Sequence, residues 1–383
     1  MRDYFEQGPI RPPSEATSLL IRVTRNCPWN KCAFCHTYKN SKFSLRKTEE
    51  VKEEIQLMKD IADEVRALSW RLGFAGKVTK EVVEYIYSLP DSYGEGFRII
   101  AVWLYFGGKS VFLQDANTIM VKNRDLVDIL KTIKEKFPQV ERITSYGRSS
   151  TIAKRKSVED LKELYLAGLT RLHVGMESGY DFLLKYVSKG ATAKDHIEAG
   201  VKVKKSGIEL SEYYILGLGG KKWWRQHAIE SAKVLNQINP DFIRIRTLKL
   251  LPIMPLYKKV EEGDFLLQSE EEMIIEERLL IEKLEGINSY FLSDHILNLL
   301  GELEGRLPQD KERMLAIIDR FLSLPKEEKL NYMLGRRATI YETMDDMKDP
   351  ELYSQVNQLI SQIESEKSGS VEETISRLKE NFL

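Results

Sequence analysis

The chain's cysteines all lie within nine residues, in the segment Cys27-Pro-Trp-Asn-Lys-Cys32-Ala-Phe-Cys35. Three thiols cannot all pair off in disulfides within one chain, and cysteines at such short intervals are typical of a metal site. A [4Fe–4S] cluster usually takes one thiolate for each iron, so three thiolates would leave one iron open to another ligand. An open iron is a position at which chemistry can occur.

A structural zinc site is the alternative for this segment, with His36 as a fourth ligand. Structural zinc usually takes two separated pairs of ligands and thereby ties distant parts of a chain together. Here all the candidate ligands come from one ten-residue stretch, so zinc would stabilise little beyond the loop itself. We favour the cluster, and keep a non-catalytic metal-binding protein, structural or sensing, as the competing hypothesis.

The elements that must position these cysteines are short segments rich in apolar residues. One precedes the cysteines at 18–24, and others follow at 111–117, 142–148, 171–179, 208–220 and 241–248. Their composition and their Gly, Pro or Asn boundaries are typical of strands. Helical patterns follow several of them, at 126–133, 158–167 and 181–187. Alternating strands and helices predict an α/β fold with a parallel sheet, here an incomplete (β/α)6 TIM-like barrel with its chemistry at the carboxyl ends of the strands.

The sequence predicts two domains, a barrel over residues 1–260 and a helical region over 261–383. Residues 47–100 carry more helical pattern than one crossover requires, so we predict a helical insertion there, either a lid or a solvated segment. From Glu270 onward the pattern is almost wholly helical, with helices expected at 271–284, 297–303, 311–324 and 350–364. We expect this C-terminal region to cap the open side of the barrel.

The charge balance disfavours a polyanionic partner. Lys plus Arg and Asp plus Glu both number 58, so the net charge is zero and a nucleic-acid substrate is not favoured. No apolar stretch approaches the roughly 20 residues that span a bilayer. The N-terminal residues also lack the apolar core of a signal peptide. We expect a cytoplasmic location, because cluster thiolates require reducing surroundings.

The strand followed by this cysteine loop, with Phe34 directly before the last cysteine, resembles the radical S-adenosylmethionine (SAM) superfamily. The first gap between cysteines holds four residues, one more than is usual there. The resemblance covers roughly residues 17–260. It is strongest to the oxygen-independent coproporphyrinogen dehydrogenases, the methylthiotransferases and the Elongator-type enzymes.

This resemblance implies two cofactors, a [4Fe–4S] cluster held by Cys27, Cys32 and Cys35, and SAM bound through its amino and carboxylate groups. Reduction of SAM would give a 5′-deoxyadenosyl radical that abstracts a hydrogen from a small-molecule or other substrate. The resemblance implies a ferredoxin or flavodoxin as electron donor. The residues themselves do not identify the substrate, and a tRNA-modifying enzyme of the superfamily is a further alternative.

The resemblance also implies contacts to SAM. Phe34 would pack near the adenine. Asp115 and Asn117 would meet the amino group, although the superfamily's usual Gly-Gly-Glu motif is absent and a helix-capping role is the alternative. Arg148 and Lys189 are candidates for binding the carboxylate.

Three further cofactor candidates, Glu177, Gly217 and Arg246, lie on the later strands. Glu177, twelve positions before Lys189, would meet the ribose. Gly217 would allow close approach of the adenine, or would form an ordinary turn.

Arg244 and Arg246 face the same side of the last strand, since strand side chains alternate. If that side is the lumen, as we expect, the pair needs anionic partners such as Glu177 or a substrate carboxylate or phosphate. On the outer side they would form salt bridges with helices. Further candidates for substrate contact are Tyr213, Tyr214 and His295.

Overall fold

The computed structural model describes residues 4–365 and 370–380, apart from the side chain of Glu380. The chain divides into two compact units, Met1–Gly175 with Ser188–Ser211, and Met176–Val187 with Glu212–Leu383. Three short parts of the two predicted domains lie outside the described residues, namely 1–3, 366–369 and 381–383. The domain boundary predicted near residue 260 stays a prediction.

The structure has a mixed α/β fold, and the six strands expected from the sequence are confirmed. The strands are β1 (Leu19–Arg22), β2 (Thr24–Arg25), β3 (Ser44–Leu45), β4 (Ser110–Gln114), β5 (Arg142–Gly147), β6 (Leu169–Glu177), β7 (Glu209–Leu216), β8 (Phe242–Thr247), β9 (Tyr290–Leu292) and β10 (Glu304–Arg306). The expected strands correspond to β1 and to β4 through β8.

Helices connect and follow these strands. They are α1 (Thr48–Arg71), α2 (Lys80–Ser88), α3 (Glu95–Tyr105), α4 (Asn123–Lys136), α5 (Ser149–Arg155), α6 (Val158–Leu166), α7 (Asp181–Tyr186), α8 (Ala193–Ser206), α9 (Gly220–Ile238), α10 (Pro255–Glu261), α11 (Glu270–Lys283), α12 (Lys311–Ser323), α13 (Lys326–Arg337), α14 (Pro350–Ser365) and α15 (Val371–Glu380). Short 3-10 turns lie at Pro13–Glu15, Thr118–Met120 and Met344–Lys348.

In the first unit the strand order is β1-β4-β5-β6, and each neighbouring pair is parallel. The register places Leu19 beside Val111 and Ile143 beside Leu169. All four of these side chains are buried, as expected for a parallel sheet in the protein interior. The parallel arrangement brings the carboxyl ends of these strands to one edge.

The helical patterns within residues 47–100 are confirmed as α1 and α2, and the segment also contains the start of α3, which the sequence pattern did not indicate. That the segment is an insertion stays a prediction. In α1, buried residues recur at helical spacing, including Val51, Ile55 and Met58. This face packs against α3 and α4 in the same unit, so α1 is a packed layer rather than a solvated segment.

In the second unit the strand order is β7-β8-β9-β10, with β8 and β9 parallel and β9 and β10 antiparallel. The expectation of an almost wholly helical C-terminal region is wrong here. Helices are confirmed at α11, α12 and α14, but no helix forms at 297–303, and β9 and β10 flank that stretch. Its leucines are buried in irregular backbone, which gives a helix-like apolar pattern without a helix.

Within the described residues, no helix is both long enough and apolar enough to cross a bilayer. The sheet of each unit is consistent with the parallel α/β fold expected from the sequence. Its closure into a partial barrel stays a prediction.

Candidate functional site

The cysteine loop is closed at its base by a small antiparallel ladder between β2 and β3, in which Thr24 pairs with Leu45 and Arg25 with Ser44. The chain leaves β1 and enters β2 almost at once, so the loop projects from the carboxyl end of β1. This is the edge at which parallel α/β folds carry their chemistry.

Side chains within the loop hold its backbone in place. The amide nitrogen of Asn30 donates to the carbonyls of Tyr38 and Ser41, the latter at 3.3 Å. The Lys39 ammonium donates to the carbonyl of Asn30 at 3.3 Å and to that of Cys32 at 3.0 Å. Asn30 adopts φ 47°, a left-handed conformation that asparagine tolerates better than most residues. The loop is therefore internally tied as well as closed at its base.

The thiols of this loop lie close enough to influence one another. Cys32 is buried, whereas Cys27 and Cys35 are half-buried. Burial raises the pKa of the Cys35 thiol, and the neighbouring thiols of Cys32 and Cys27 add to the increase. The backbone N–H of Asn30 also donates to the Cys27 sulfur at 3.5 Å. Within the described part of the chain, no three or more His, Cys, Asp or Glu side chains already form a metal-binding group, and His36 is exposed.

Asp115, directly after β4, anchors the loop to the sheet. Its fully buried carboxylate accepts hydrogen bonds from the Arg22 guanidinium at 2.9 and 2.6 Å and from the Asn26 N–H at 3.0 Å. The other oxygen accepts from the Tyr38 hydroxyl at 2.8 Å. Burial raises the pKa of Tyr38, and the adjacent Asp115 carboxylate adds to the increase, so this tyrosine remains a donor. Residues on both sides of the cysteines are thus held by one carboxylate.

An ion-pair network extends this anchor. Arg22 also donates to Glu6 at 2.9 Å, and Glu6 pairs with Arg25 at 2.6 Å and Arg46 at 3.5 Å. Burial would raise the pKa of Glu6, but the surrounding guanidinium groups outweigh burial and lower it. Arg46 further pairs with Glu54 of α1 at 2.8 Å. The base of the loop is therefore surrounded by matched charges.

Asn117 connects β4 to the turn after β5. Its side-chain oxygen accepts from the Arg148 N–H at 2.9 Å, and its amide nitrogen donates to Thr151 at 2.9 Å. Asn117 is the N-cap residue of the 3-10 turn Thr118–Met120, but its side chain makes no capping hydrogen bond there. The N-cap residue of α4 is Lys122. Both predicted residues instead use their side chains to fix neighbouring backbone.

Arg148 and Lys189, predicted to bind a carboxylate, lie together in the first unit. The Arg148 guanidinium donates to the Lys189 carbonyl at 2.8 Å, and the Lys189 ammonium lies 5.9 Å from the centre of the Phe34 ring. Nearby, Nδ1 of buried His196 lies 2.6 Å from the Ser149 hydroxyl. Burial lowers the pKa of His196 to about 3, with Lys189 and Arg148 contributing to the decrease. This region therefore has positive potential.

Trp29 joins the cysteine loop to the segment that carries Lys189. Its indole N–H donates to the Ser188 carbonyl at 2.7 Å. A Cβ placed on Gly190, whose φ is +70°, would lie 2.4 Å from the Trp29 ring. The sequence interpretation missed this contact, although an aromatic residue inside the cysteine segment was a visible clue.

Arg22 was also missed. Its sequence clue was a charged residue inside the otherwise apolar segment that precedes the cysteines. Such a residue in a buried strand requires an acidic partner, which here is Asp115.

The remaining predicted cofactor residues lie in the second unit. Glu177 ends β6 with φ 64° and is half-buried. Gly217 follows β7 with φ +81°, and an added Cβ would lie 3.0 Å from the Met273 sulfur. The Gly217 N–H donates to Glu276 at 3.2 Å, and Gly217 lines a cavity of about 450 Å³. Gly217 is therefore required for its backbone conformation and for close packing.

Arg244 and Arg246 lie on one face of β8 and share a single carboxylate, that of Asp294. The distances are 3.1 Å from Arg244 and 3.5 Å from Arg246. The Arg246 guanidinium lies 4.8 Å from the centre of the Tyr213 ring, so Tyr213 shares this face. Burial lowers the pKa of nearby His295 to about 4, and the charge of Arg246 adds to the decrease. The structure thus brings together residues that the sequence indicated separately. Tyr214 instead donates to Glu276 at 2.8 Å.

No family model matches the chain. A tRNA uridine(34) acetyltransferase of Methanocaldococcus infernus is 29% identical over 125 residues, which make up 31% of this chain and 22% of that protein. A protein of the same name from Methanocaldococcus jannaschii is 24% identical over 117 residues, 30% of this chain and 22% of that protein. The matched stretch spans about a fifth of the length of these curated relatives.

Solved structures are similar over more of the chain. Coproporphyrinogen III oxidase from Escherichia coli, a radical SAM enzyme, shares 14% identity at a TM-score of 0.43, covering 70% of this chain and 50% of that one. The cobalamin-dependent SAM radical enzyme OxsB shares 13% sequence identity at a TM-score of 0.47, covering 95% of this chain and 53% of that one. The radical SAM methyltransferase TsrM from Kitasatospora setae, which holds cobalamin and a [4Fe–4S] cluster, shares 13% identity at a TM-score of 0.43. That match covers 64% of this chain and 37% of that one.

The chain is similar to radical SAM enzymes.

Proposed function

We propose that this chain is a radical SAM enzyme in which Cys27, Cys32 and Cys35 hold a [4Fe–4S] cluster. The observation that carries the proposal is the cysteine loop, with its thiols on one loop that is tied internally and anchored through Asp115 to the end of β4. An all-thiol donor set suits iron–sulfur chemistry. When bound, the cluster supplies the electron that cleaves SAM to a 5′-deoxyadenosyl radical.

In this proposal Arg148 and Lys189 bind the SAM carboxylate. Burial is the main reason that the pKa of His196 is lowered, and the positive charges of Lys189 and Arg148 lower it further. The nearness of these two charges supports the assignment. Phe34, beside Lys189, would pack near the adenine. Of the second unit's residues, Glu177 would meet the ribose, and Gly217 would allow close approach of the base.

Asp115 and Asn117 take positioning roles instead of direct contact with SAM. The Asp115 carboxylate is already engaged by Arg22, Asn26 and Tyr38. Both polar atoms of the Asn117 side chain are likewise occupied. These residues keep the cysteine loop and the Arg148 turn in place for the cofactors.

The wider architecture belongs to the same proposal. We infer a partial barrel over residues 1–260, a helical insertion at 47–100 and a cap formed by the C-terminal helices. A ferredoxin or flavodoxin would deliver the electron, and a cytoplasmic location would keep the thiols reduced.

The proposal is tested by anaerobic reconstitution with iron and sulfide, followed by reduction in the presence of SAM. We expect 5′-deoxyadenosine to form without added substrate. Intact SAM after reduction of a protein that contains the cluster would instead support the competing non-catalytic metal-binding function.

A specific observation also favours RNA as the substrate. An aromatic–basic patch, consisting of Phe182, Tyr186, Trp223 and Trp224 with Lys222, Arg225 and Lys259, lies on the helices that follow β6, β7 and β8. Phe182 is 51% exposed, and Trp223 and Trp224 are half-buried. The Lys222 ammonium lies 5.1 Å from the centre of the Trp223 ring, and the Arg225 guanidinium lies 4.8 Å from that of Trp224. Accessible rings with adjacent cations suit single-strand binding, where bases stack on the rings.

The names of the curated relatives, both tRNA uridine(34) acetyltransferases, agree with this second candidate. Fluorescence anisotropy with bulk tRNA tests it. We expect binding that weakens as salt increases, and a Lys222→Ala, Arg225→Ala double variant that binds about tenfold more weakly. Lys162→Ala on exposed α6 is the matched control. Absence of tRNA binding by the unmodified chain at low salt would eliminate RNA as the substrate.

A further inference from the structure

In the arginine pair on β8, Arg244 is buried, Arg246 is half-buried, and each has a side-chain nitrogen without a partner among the described residues. Arg244 is 5% exposed, and the Arg246 side chain is 15% exposed. Nε of Arg244 and Nη2 of Arg246 are buried and have no hydrogen-bond partner among the described residues. A buried donor without an acceptor costs free energy, so such groups usually have a partner in the working protein.

The charges around this pair do not balance. Asp294 contributes the carboxylate that both guanidinium groups contact, with one oxygen toward each. Its side chain is 36% exposed, which weakens its pairing with buried cations. Burial, with the charge of Arg246, keeps His295 neutral near pH 7, and burial raises the pKa of Tyr213. Among the ion pairs seen in the described part of the chain, two positive groups therefore face one carboxylate, that of Asp294.

The loop that carries Asp294 is tied to the end of β8. Asn298, four residues beyond Asp294, donates to the carbonyl of Ile245 at 3.1 Å and to the Ser293 hydroxyl at 3.0 Å. Its side-chain oxygen accepts from the Thr247 hydroxyl at 2.9 Å. These bonds fix the loop that carries Asp294 against the end of β8.

We propose that Arg244 and Arg246 form a binding site for an anionic group of the substrate, a carboxylate or a phosphoryl group. This inference rests on the proposed function, since it gives the substrate class for the same enzyme, and it assigns Arg246 to substrate rather than to SAM. The free N–H groups of two guanidiniums match the oxygens of either anion. The Arg246 guanidinium lies over the Tyr213 ring, 4.8 Å from its centre, and the ring stabilises its charge.

The test uses the full chain and measures the midpoint of thermal unfolding with sodium acetate, with inorganic phosphate, and with sodium chloride at equal ionic strength. We expect at least one of the two test anions to raise the midpoint of the unmodified chain by about 3 °C relative to chloride. Arg244→Gln and Arg246→Gln are expected to lose more than half of that shift. Arg124→Gln, on a residue whose side chain is 90% exposed, controls for general salt effects and keeps the full shift.

The two anions distinguish the source of the charge. Protection by acetate alone assigns a carboxylate group, and protection by phosphate alone assigns a phosphoryl group. Equal shifts in the unmodified chain, Arg244→Gln and Arg124→Gln overturn the site.

If Arg244→Gln does not fold, Arg244→Lys retains the charge and lacks the planar fork, and it is expected to lose more than half of the shift. Full protection of this variant also counts against the site. Neither SAM nor reductant is present, so the outcome is independent of whether SAM is cleaved.

Discussion

Around the cysteine loop, buried charges meet opposite charges, whereas two groups of charges in the second unit, around Asp294 and around Glu276, do not balance. Asp115 faces Arg22, which also pairs with Glu6. In the second unit, two arginines share Asp294, and buried Glu276 faces neutral donors. A balanced network holds one geometry, while an unbalanced one retains the capacity to bind an ion or a proton. The two regions therefore suit different tasks, positioning in the first and recognition in the second.

The largest expected effect comes from removing a thiol from the positioned loop. Cys32→Ala is expected to abolish SAM cleavage, because a cluster left with two thiolates of this loop is not held. Formation of 5′-deoxyadenosine, followed by chromatography, measures the effect. Arg124→Gln should retain full cleavage, and cleavage by Cys32→Ala at the unmodified rate would contradict the assignment.

Breaking the charge balance under the loop is expected to cost stability. Asp115→Asn leaves the Arg22 guanidinium without its main partner and should lower the free energy of unfolding by about 3 kcal/mol. Urea denaturation measures the loss, and iron content after reconstitution should fall with it. Asp128→Asn removes an exposed partner of Lys52 and should change stability by less than about 1 kcal/mol. Equal costs for both variants would show that the anchor contributes nothing special.

The contact between Trp29 and Gly190 can be disturbed without altering charge. Gly190→Ala should cost about 2–3 kcal/mol, since it combines a left-handed φ with a Cβ 2.4 Å from the indole ring. Gly73→Ala carries the same backbone penalty with open space around the new Cβ and should cost only about 1 kcal/mol. Urea denaturation compares the two. A Gly190→Ala cost no larger than that of the control would mean that the indole moves aside freely.

The buried carboxyl of Glu276 is expected to make the free energy of unfolding depend on pH. Burial raises the pKa of Glu276 from its ordinary 4.5 to about 8. Between these values the unfolded chain releases the proton while the folded chain keeps it, so this group lowers stability as pH rises, by up to about 1.4 kcal/mol per pH unit. Glu276→Gln should reduce the fall of the urea midpoint between pH 5 and pH 8, leaving the share of neighbouring Glu277, whose pKa burial also raises to about 8. Exposed Glu304→Gln should leave the profile unchanged. An unaltered slope in Glu276→Gln would contradict a proton-holding carboxyl.

The sequence predicted the strands well and the contacts of their polar ends poorly. Buried parallel strands such as β4 and β5 can be predicted because each is a short apolar run between turn residues, which is a local property of the sequence. The run at 297–303 misled because burial alone makes a segment apolar, whether or not its backbone is helical. Its irregular conformation depends on neighbouring β9 and β10, which no local pattern specifies.

For the candidate site, residue type was predictable but partnership was not. The sequence indicates Asp115 and Asn117 as polar residues after a strand, yet their partners Arg22 and Thr151 lie far away in sequence. The alternation in β8 did predict that Arg244 and Arg246 share a face, because that follows from strand geometry alone. Their shared use of Asp294 required the tertiary structure.

The most direct test of the central claim is the metal content of the anaerobically purified and reconstituted chain. We predict about four irons and a similar amount of acid-labile sulfide per chain, with a broad absorption band at about 400 nm. One tightly bound zinc with neither iron nor sulfide would contradict the account.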